Sequence, residues 1–385
     1  MDINEYAVKL GRDYFGPFLL GFTRWLKKSI DSKNINKVFF FSRDGYMMAK
    51  SFEILNDDAG YGYECEYVYF SRSSIRQALL WRSNTYEDSI KYLTQERLVS
   101  LGKLLKYYGL SENIQQEICK KYNVELTDTY RLEQISNDNQ LKTIYTDYKA
   151  LINDNSLKQA ELLRCYIKQI GMVGECAIVD IGWHGSMQYY LEQFFEYEQI
   201  KVKFTGFYVG INPTTEIKGD VYGYIFYPGN LKYRKNVLCF LGGYEKLFQS
   251  LEGSTVGYEY RHDKVVPKME DYEYGDDLKA IISLWQESAI EYIKTNSHSM
   301  FDNKHLSKKL IKFGMNPPMW GIELFKDFSL NDGQIQFFVS PKSILKYNIK
   351  ELTNYLGSSV WKTGFLKSLF KVPAPYFIIY KLLRK

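Results

Sequence analysis

Two short stretches carry side chains that could do chemistry. The first is Ser42-Arg43-Asp44-Gly45, which follows the apolar run Val38-Phe39-Phe40-Phe41 and precedes a helical pattern from Tyr46 to Leu55. Its guanidinium suits bidentate binding of phosphate oxygens, and its carboxylate can accept a proton or bind a cation. The second is Asp180 to Ser186, DIGWHGS, set between the apolar run Ala177-Ile178-Val179 and the helical spacing of Tyr189, Tyr190, Leu191, Phe194 and Phe195. Gly182 and Gly185 let backbone N–H groups approach an anion, Ser186 is placed as an N-cap, and a helix N-terminus adds its positive end. Asp180 ends the apolar run with a charge, on the side of an open α/β sheet where ligands bind. Each stretch also has a purely structural reading: an ion pair capping a sheet edge for the first, an ordinary strand-to-helix turn for the second.

A third strand-like run, Tyr67 to Phe70, leads into Ser71-Arg72-Ser73-Ser74. If the three strands are parallel neighbours, Arg43 and Arg72 converge on the edge that holds Asp180. That would make a cationic bowl suited to a ligand with several phosphates and a divalent metal. Further on, Glu245, Gln249 and Glu252 share one helical face within Gly242 to Tyr258. Glu252, beside Gly253-Ser254, is the candidate for binding acceptor hydroxyls, and Glu245 reads as a solvated residue. His262, His298 and His305 lack partners at metal spacing and read as surface residues.

The repeated order of strand, polar turn and helix predicts an α/β fold with a mostly parallel, Rossmann-like sheet. Residues 1–82 and 171–260 are expected to form its core, 83–170 a helical insertion, and 261–385 a mainly helical C-terminal region. Residues 1 to 30 read as a helix broken at Gly16-Pro17. Lys203 to Gly210 and Tyr222 to Tyr227 read as further strands, the last at the sheet's edge.

A chain of 385 residues with 45% hydrophobic content can bury a sizeable core. A net charge of +5 is modest for this length, so no nucleic acid is expected as a partner. Five cysteines without a C-x-x-C pair suggest neither a zinc site nor a disulfide framework, and a cytoplasmic setting is expected. The polar start, Met1 to Tyr14, does not read as a signal peptide, and no apolar run reaches the roughly 18 to 20 residues that span a bilayer. The tail from Trp361, WKTGFLKSLFKVPAPYFIIYKLLRK, is basic, aromatic and free of acids. It suits peripheral contact with an anionic membrane surface, or docking onto the protein's own body.

No G-x-G-x-x-G follows the first strand, and G-x-x-x-x-G-K-[ST], H-E-x-x-H and G-x-S-x-G are missing, which weighs against dinucleotide enzymes, P-loop NTPases and serine hydrolases. The stretches G-P-x-L-x-G-F, FFFSRDGYMM, YFSRSS, VDIGWHGSMQ and GFYVG together resemble a bacterial group found in O-antigen and capsule gene clusters. Its members are often fused to, or encoded beside, haloacid-dehalogenase phosphatases. The chain looks like the glycan phosphoribosyltransferase module of that group over about residues 14 to 258. It departs from phosphoribosyltransferases generally, which have two adjacent acids and a Thr-Gly turn where this chain has Asp180-Ile181 and Trp183-His184.

The resemblance implies a phosphoribosyltransferase-like core that uses phosphoribosyl pyrophosphate (PRPP) with Mg²⁺. The acceptor is a lipid-linked glycan, and a phosphatase partner trims the product. Pyrophosphate would be displaced from the anomeric carbon by a sugar hydroxyl through an oxocarbenium-like transition state. Asp44 is the candidate base for the acceptor hydroxyl, with binding of the metal as its alternative role. Arg43 and Arg72 would neutralise the leaving group, and Asp180 would meet the ribose hydroxyls or the metal. Gly182, Trp183, His184, Gly185 and Ser186 would lie around the 5-phosphate, with Ser42, Gly45, Gln188 and Glu252 as further substrate contacts. Two alternatives predict different outcomes: a nucleotide-sugar glycosyltransferase would release a nucleotide, and a non-catalytic scaffold would bind no PRPP.

Overall fold

The computed structural model describes residues 2–57, 62–92, 98–213, 216–331 and 335–383. Five parallel strands form the central sheet: β1 (Lys37–Phe41), β2 (Glu64–Val68), β3 (Gly174–Trp183), β4 (Val202–Ile211) and β5 (Asp220–Phe226). Their order is β2-β1-β3-β4-β5, a doubly wound, Rossmann-like arrangement. Successive strand residues feed opposite faces. Val38, Phe40, Ala177 and Val179 pack into one core, and Phe39, Phe41, Cys176 and Ile178 into the other. Strands buried on both sides read as unbroken apolar runs, which is why they stand out in the sequence.

The helices that matter for the site are α1 (Ile3–Leu10), α2 (Gly16–Asp31), α3 (Tyr46–Asp57), α4 (Arg72–Leu79), α5 (Asn139–Gln169), α6 (Ser186–Tyr197) and α7 (Leu241–Phe248). After them come α8 (Asp276–Asn296), α9 (Asn303–Met315), α10 (Lys362–Phe370) and α11 (Tyr376–Leu383). The break expected at Gly16-Pro17 is not there. One helical run continues from Ile3 to Asp31 through a π turn at Gly11–Phe15, where the Gly16 N–H bonds the Gly11 carbonyl. The wider turn accommodates Pro17, which lacks an N–H and sits in the first turn of α2.

Residues 83–170 are not helical throughout, because Leu98–Ser100 and Thr129–Arg131 form an antiparallel pair. This region has an apolar cluster of its own, with Leu104, Tyr108, Ile118, Tyr145 and Ile152. Residues 93–97, inside the helical insertion expected over 83–170, lie outside the described residues. The second half of α5 leaves that cluster, and its Ala160, Leu163, Tyr166 and Ile167 cover the sheet.

Trp285 of α8 and Phe313 of α9 share the core that holds α1, α2 and the sheet, so much of 261–385 is built into the same body. The tail docks there too: Thr363 and Phe365 of α10, and Tyr376, Phe377 and Tyr380 of α11, are buried. Arg384 and Lys385 lie outside the described residues. Among the described residues no helix is long and apolar enough to cross a membrane.

Candidate functional site

The strand order reverses between β1 and β3, and in open α/β sheets this switch point, at the carboxyl ends of the strands, is the crevice in which ligands bind. Ser42 and Gly45 fold the turn after β1. The Ser42 N–H bonds the Val68 carbonyl at 2.9 Å, its hydroxyl donates to the Phe70 carbonyl at 3.1 Å, and the Gly45 N–H closes on the Phe41 carbonyl at 2.7 Å. A Cβ at Gly45 would come within 2.6 Å of that carbonyl oxygen, so only glycine fits. The peptide bond between Ser42 and Arg43 is cis. Both residues read as substrate contacts in the sequence are thus occupied in shaping the turn that presents Arg43 and Asp44.

Three carboxyl groups meet in the crevice: Asp44 after β1, Asp180 on β3 and Glu245 on α7, each half-buried. Burial, followed by the charge of Asp44, pushes Asp180 up to about 8 and Glu245 up to about 7. Burial also raises Asp44 to about 6, against the pull of Arg43, Lys246 and Arg72. The three titrate as a set, so near neutral pH they share fewer than three negative charges.

The sequence presents Glu245 as a solvated residue, and the structure corrects this. Its carboxylate accepts from the indole Nε1 of Trp183 at 3.1 Å and turns into the crevice. The reason is non-local, since only the approach of α7 to the end of β3 reveals which side of the helix is covered.

Asp180 does not end its strand. β3 continues to Trp183, pairing Asp180 with Tyr208, Gly182 with Gly210 and Trp183 with Ile211. Gly182 has φ +103°, and a Cβ there would stand 2.5 Å from the Gly210 carbonyl oxygen, so it serves strand packing and not an anion cradle. Trp183 is buried, stacks on Phe226 at 6.2 Å and positions Glu245. Gln188 is fully buried, accepting from the Tyr208 hydroxyl and donating to Glu192, both at 2.8 Å, which removes it from the substrate side.

Ser186 is the first residue of α6 and not its N-cap. Gly185 takes that position with φ +66°. The His184 N–H is taken by the Gly182 carbonyl at 2.9 Å, and the first bond of α6 runs from the Tyr189 N–H to the Gly185 carbonyl at 3.1 Å. The N–H groups of Ser186, Met187 and Gln188 therefore have no intrahelical acceptor. The expected anion cradle contracts from Gly182–Ser186 to the opening of this helix.

Three positive groups, Arg43, Lys246 and Arg72, surround the carboxyls. Arg43 and the fully buried Lys246 both pair with Glu273, which they hold down at about 2 despite its burial. Two cations on one carboxylate leave a net positive charge. Arg43 also donates to the Glu252 carbonyl at 3.3 Å and lies 5.9 Å from the Tyr272 ring centre. Arg72, exposed at the start of α4, acts through space on Asp44, Asp180 and Glu245, so it does converge with Arg43 on the edge that holds Asp180. Desolvation, then the charges of Arg72 and Arg234, lower the pKa of His184, which stands exposed at the rim. Glu252 lines the side wall, where its carboxylate accepts from the Tyr67 hydroxyl at 2.8 Å. Tyr46, Tyr67 and Tyr69 stack edge to face beside it, with centroids 5.8 and 5.3 Å apart.

Lys246, Glu273 and Arg234 were missed in the sequence. Lys246 carried a weak signal, a cation beside Glu245 in the otherwise apolar helix GGYEKLF. Glu273 and Arg234 carried none. Among the described residues no group of three or more His, Cys, Asp or Glu side chains is placed to hold a metal ion. No family model matches the chain, and no curated protein matches it.

Proposed function

We propose that this chain transfers a phosphoribosyl group from PRPP to a glycan hydroxyl, releasing pyrophosphate and leaving a 5-phosphoribosyl product for a phosphatase. One observation carries the reading: the carboxyl groups of Asp44, Asp180 and Glu245 and the cations Arg43, Arg72 and Lys246 meet at the switch point of a doubly wound sheet. A phosphorylated sugar needs both signs of charge within one crevice.

In the step itself, the bond from the anomeric carbon to pyrophosphate breaks as the bond to the acceptor oxygen forms. The hydroxyl proton passes to Asp44, whose carboxyl, raised to about 6, is suited to a base near neutral pH. Pyrophosphate departs against Arg72 and the net positive group of Arg43, Lys246 and Glu273. The opening of α6 holds the 5-phosphate as a remote handle.

Mutually repelling carboxyls without a three-ligand cage fit a cation that arrives with its ligand. Mg²⁺ carried by the pyrophosphate, met by Asp180 directly or through water, would supply charge neutralisation there. The tyrosines beside Glu252 offer flat faces to the acceptor sugar.

The test is incubation with PRPP, Mg²⁺ and extracted lipid-linked glycans. The expected result is pyrophosphate release together with glycans heavier by one phosphopentose. Nucleotide release from a sugar nucleotide, with PRPP left intact, would overturn the proposal. So would the absence of any thermal shift with PRPP and Mg²⁺.

A further inference from the structure

We propose that the C-terminal region docks the protein on an anionic lipid surface through one patch formed by residues 344–350 and 370–382. The charge distribution points there first. Residues 341–385 hold nine basic side chains against one acid, Glu351, so the chain's net charge of +5 becomes −3 over residues 1–340. The positive excess of the whole molecule is confined to this segment.

The patch is also apolar where an isolated protein gains nothing from it. Leu345 is 94% exposed, Ile349 87%, Leu382 63% and Ile378 56%. Single exposed aliphatics are ordinary, but these four fall in pairs within two short segments, residues 345–349 and 378–382. Ile378 and Leu382 lie one turn apart on α11, whose other side buries Tyr376, Phe377 and Tyr380. Phe370 and Val372, also exposed, flank the end of α10. Ser340 links residues 344–350 to α10, which leads into 370–382, since its N–H bonds the Ser368 hydroxyl at 2.7 Å and its own hydroxyl lies 2.8 Å from that of Tyr347.

The cations stand among these aliphatic side chains. Lys346, Lys350 and Lys371 are exposed and form no ion pair among the described residues. Lys381 lies 5.0 Å from the Phe377 ring centre. A second copy would bring like charges together, and a nucleic-acid backbone would offer nothing to the aliphatic tips. A lipid interface takes both, accepting apolar side chains at the acyl boundary and cations at anionic headgroups. The inference concerns where the protein sits and stands apart from the donor reading.

The experiment sediments the full chain with vesicles of phosphatidylcholine alone, or of phosphatidylcholine mixed equally with phosphatidylglycerol. Binding is expected only to the mixed vesicles, weakening as salt is raised. Leu345→Glu with Ile349→Glu changes two side chains that touch little else, and is expected to lower partitioning at least tenfold. Lys346→Gln is expected to cost about fivefold, the effect of one charge near the surface. Wild-type protein left in the supernatant with mixed vesicles, or a double variant that sediments like the wild type, would overturn the proposal. So would loss of a dimer in the double variant without any vesicle binding, which would assign the patch to a second copy.

Discussion

The indole Nε1 of Trp183 donates to the Glu245 carboxylate at 3.1 Å, joining the last residue of β3 to α7. Trp183 reaches this position with φ +63°, a conformation that a bulky residue holds only when its surroundings enforce it. The bond favours the charged form of Glu245 and works against burial, which raises the same group. Trp183→Phe is therefore expected to raise Glu245 further and cost about 1 to 2 kcal/mol of stability. Carbon-detected NMR titration of the glutamate carboxyls would measure this, and an unchanged Glu245 titration would contradict the assigned role of the indole.

Asp44→Asn keeps the size of the side chain and removes its basicity. Transfer is expected to fall by about 10² to 10⁴, the range for loss of a general base, while PRPP still binds. Calorimetric titration alongside a pyrophosphate-release assay separates the two effects. Turnover at the wild-type rate would remove Asp44 from the mechanism.

Glu273 holds Arg43 and Lys246 together, so the two ends of this group should respond differently. Arg43→Ala is expected to weaken donor binding about tenfold to a hundredfold, since a charge-assisted contact is lost. Glu273→Gln instead strands the fully buried Lys246 without its counter-ion, and is expected to cost about 3 to 5 kcal/mol of stability. Urea unfolding of both variants would check the ordering, which fails if Arg43→Ala proves the less stable.

Stability should fall as pH rises. Asp180 has a folded pKa of about 8 against an ordinary 3.8, so between those values the folded state holds a proton that the unfolded chain has released. Glu245, at about 7, adds in the same direction. The melting temperature is expected to be lower at pH 9 than at pH 6 by about 3 °C or more, and Asp180→Asn should flatten the slope. A melting temperature that rises over this range would contradict the carboxyl cluster.

The sheet was legible in the sequence because β1 and β3 are buried on both faces and read as continuous apolar runs. The turn residues Arg43 and Asp44 followed from their place after such a run. What lay beyond reach was everything set by distant pairing. Nothing local marks Glu273 as the shared partner of Arg43 and Lys246, which precede it by 230 and 27 positions. Asp180 looked like a strand end because Gly182 resembles a turn glycine, whereas its role is to let β4 approach. Gln188 looked accessible at the start of a helix until Tyr208 closed over it.

The long helix α5 belongs to two apolar clusters at once, with Ile144, Tyr145 and Ile152 in one and Leu163, Tyr166 and Ile167 in the other. At 31 residues it is a rod of about 46 Å. The Tyr166 hydroxyl on this rod accepts from the Tyr69 N–H at 3.0 Å, beside the tyrosine wall of the crevice. The insertion is thus geared to that wall. One helix therefore ties the packing of residues 139–152 to the backbone position of Tyr69.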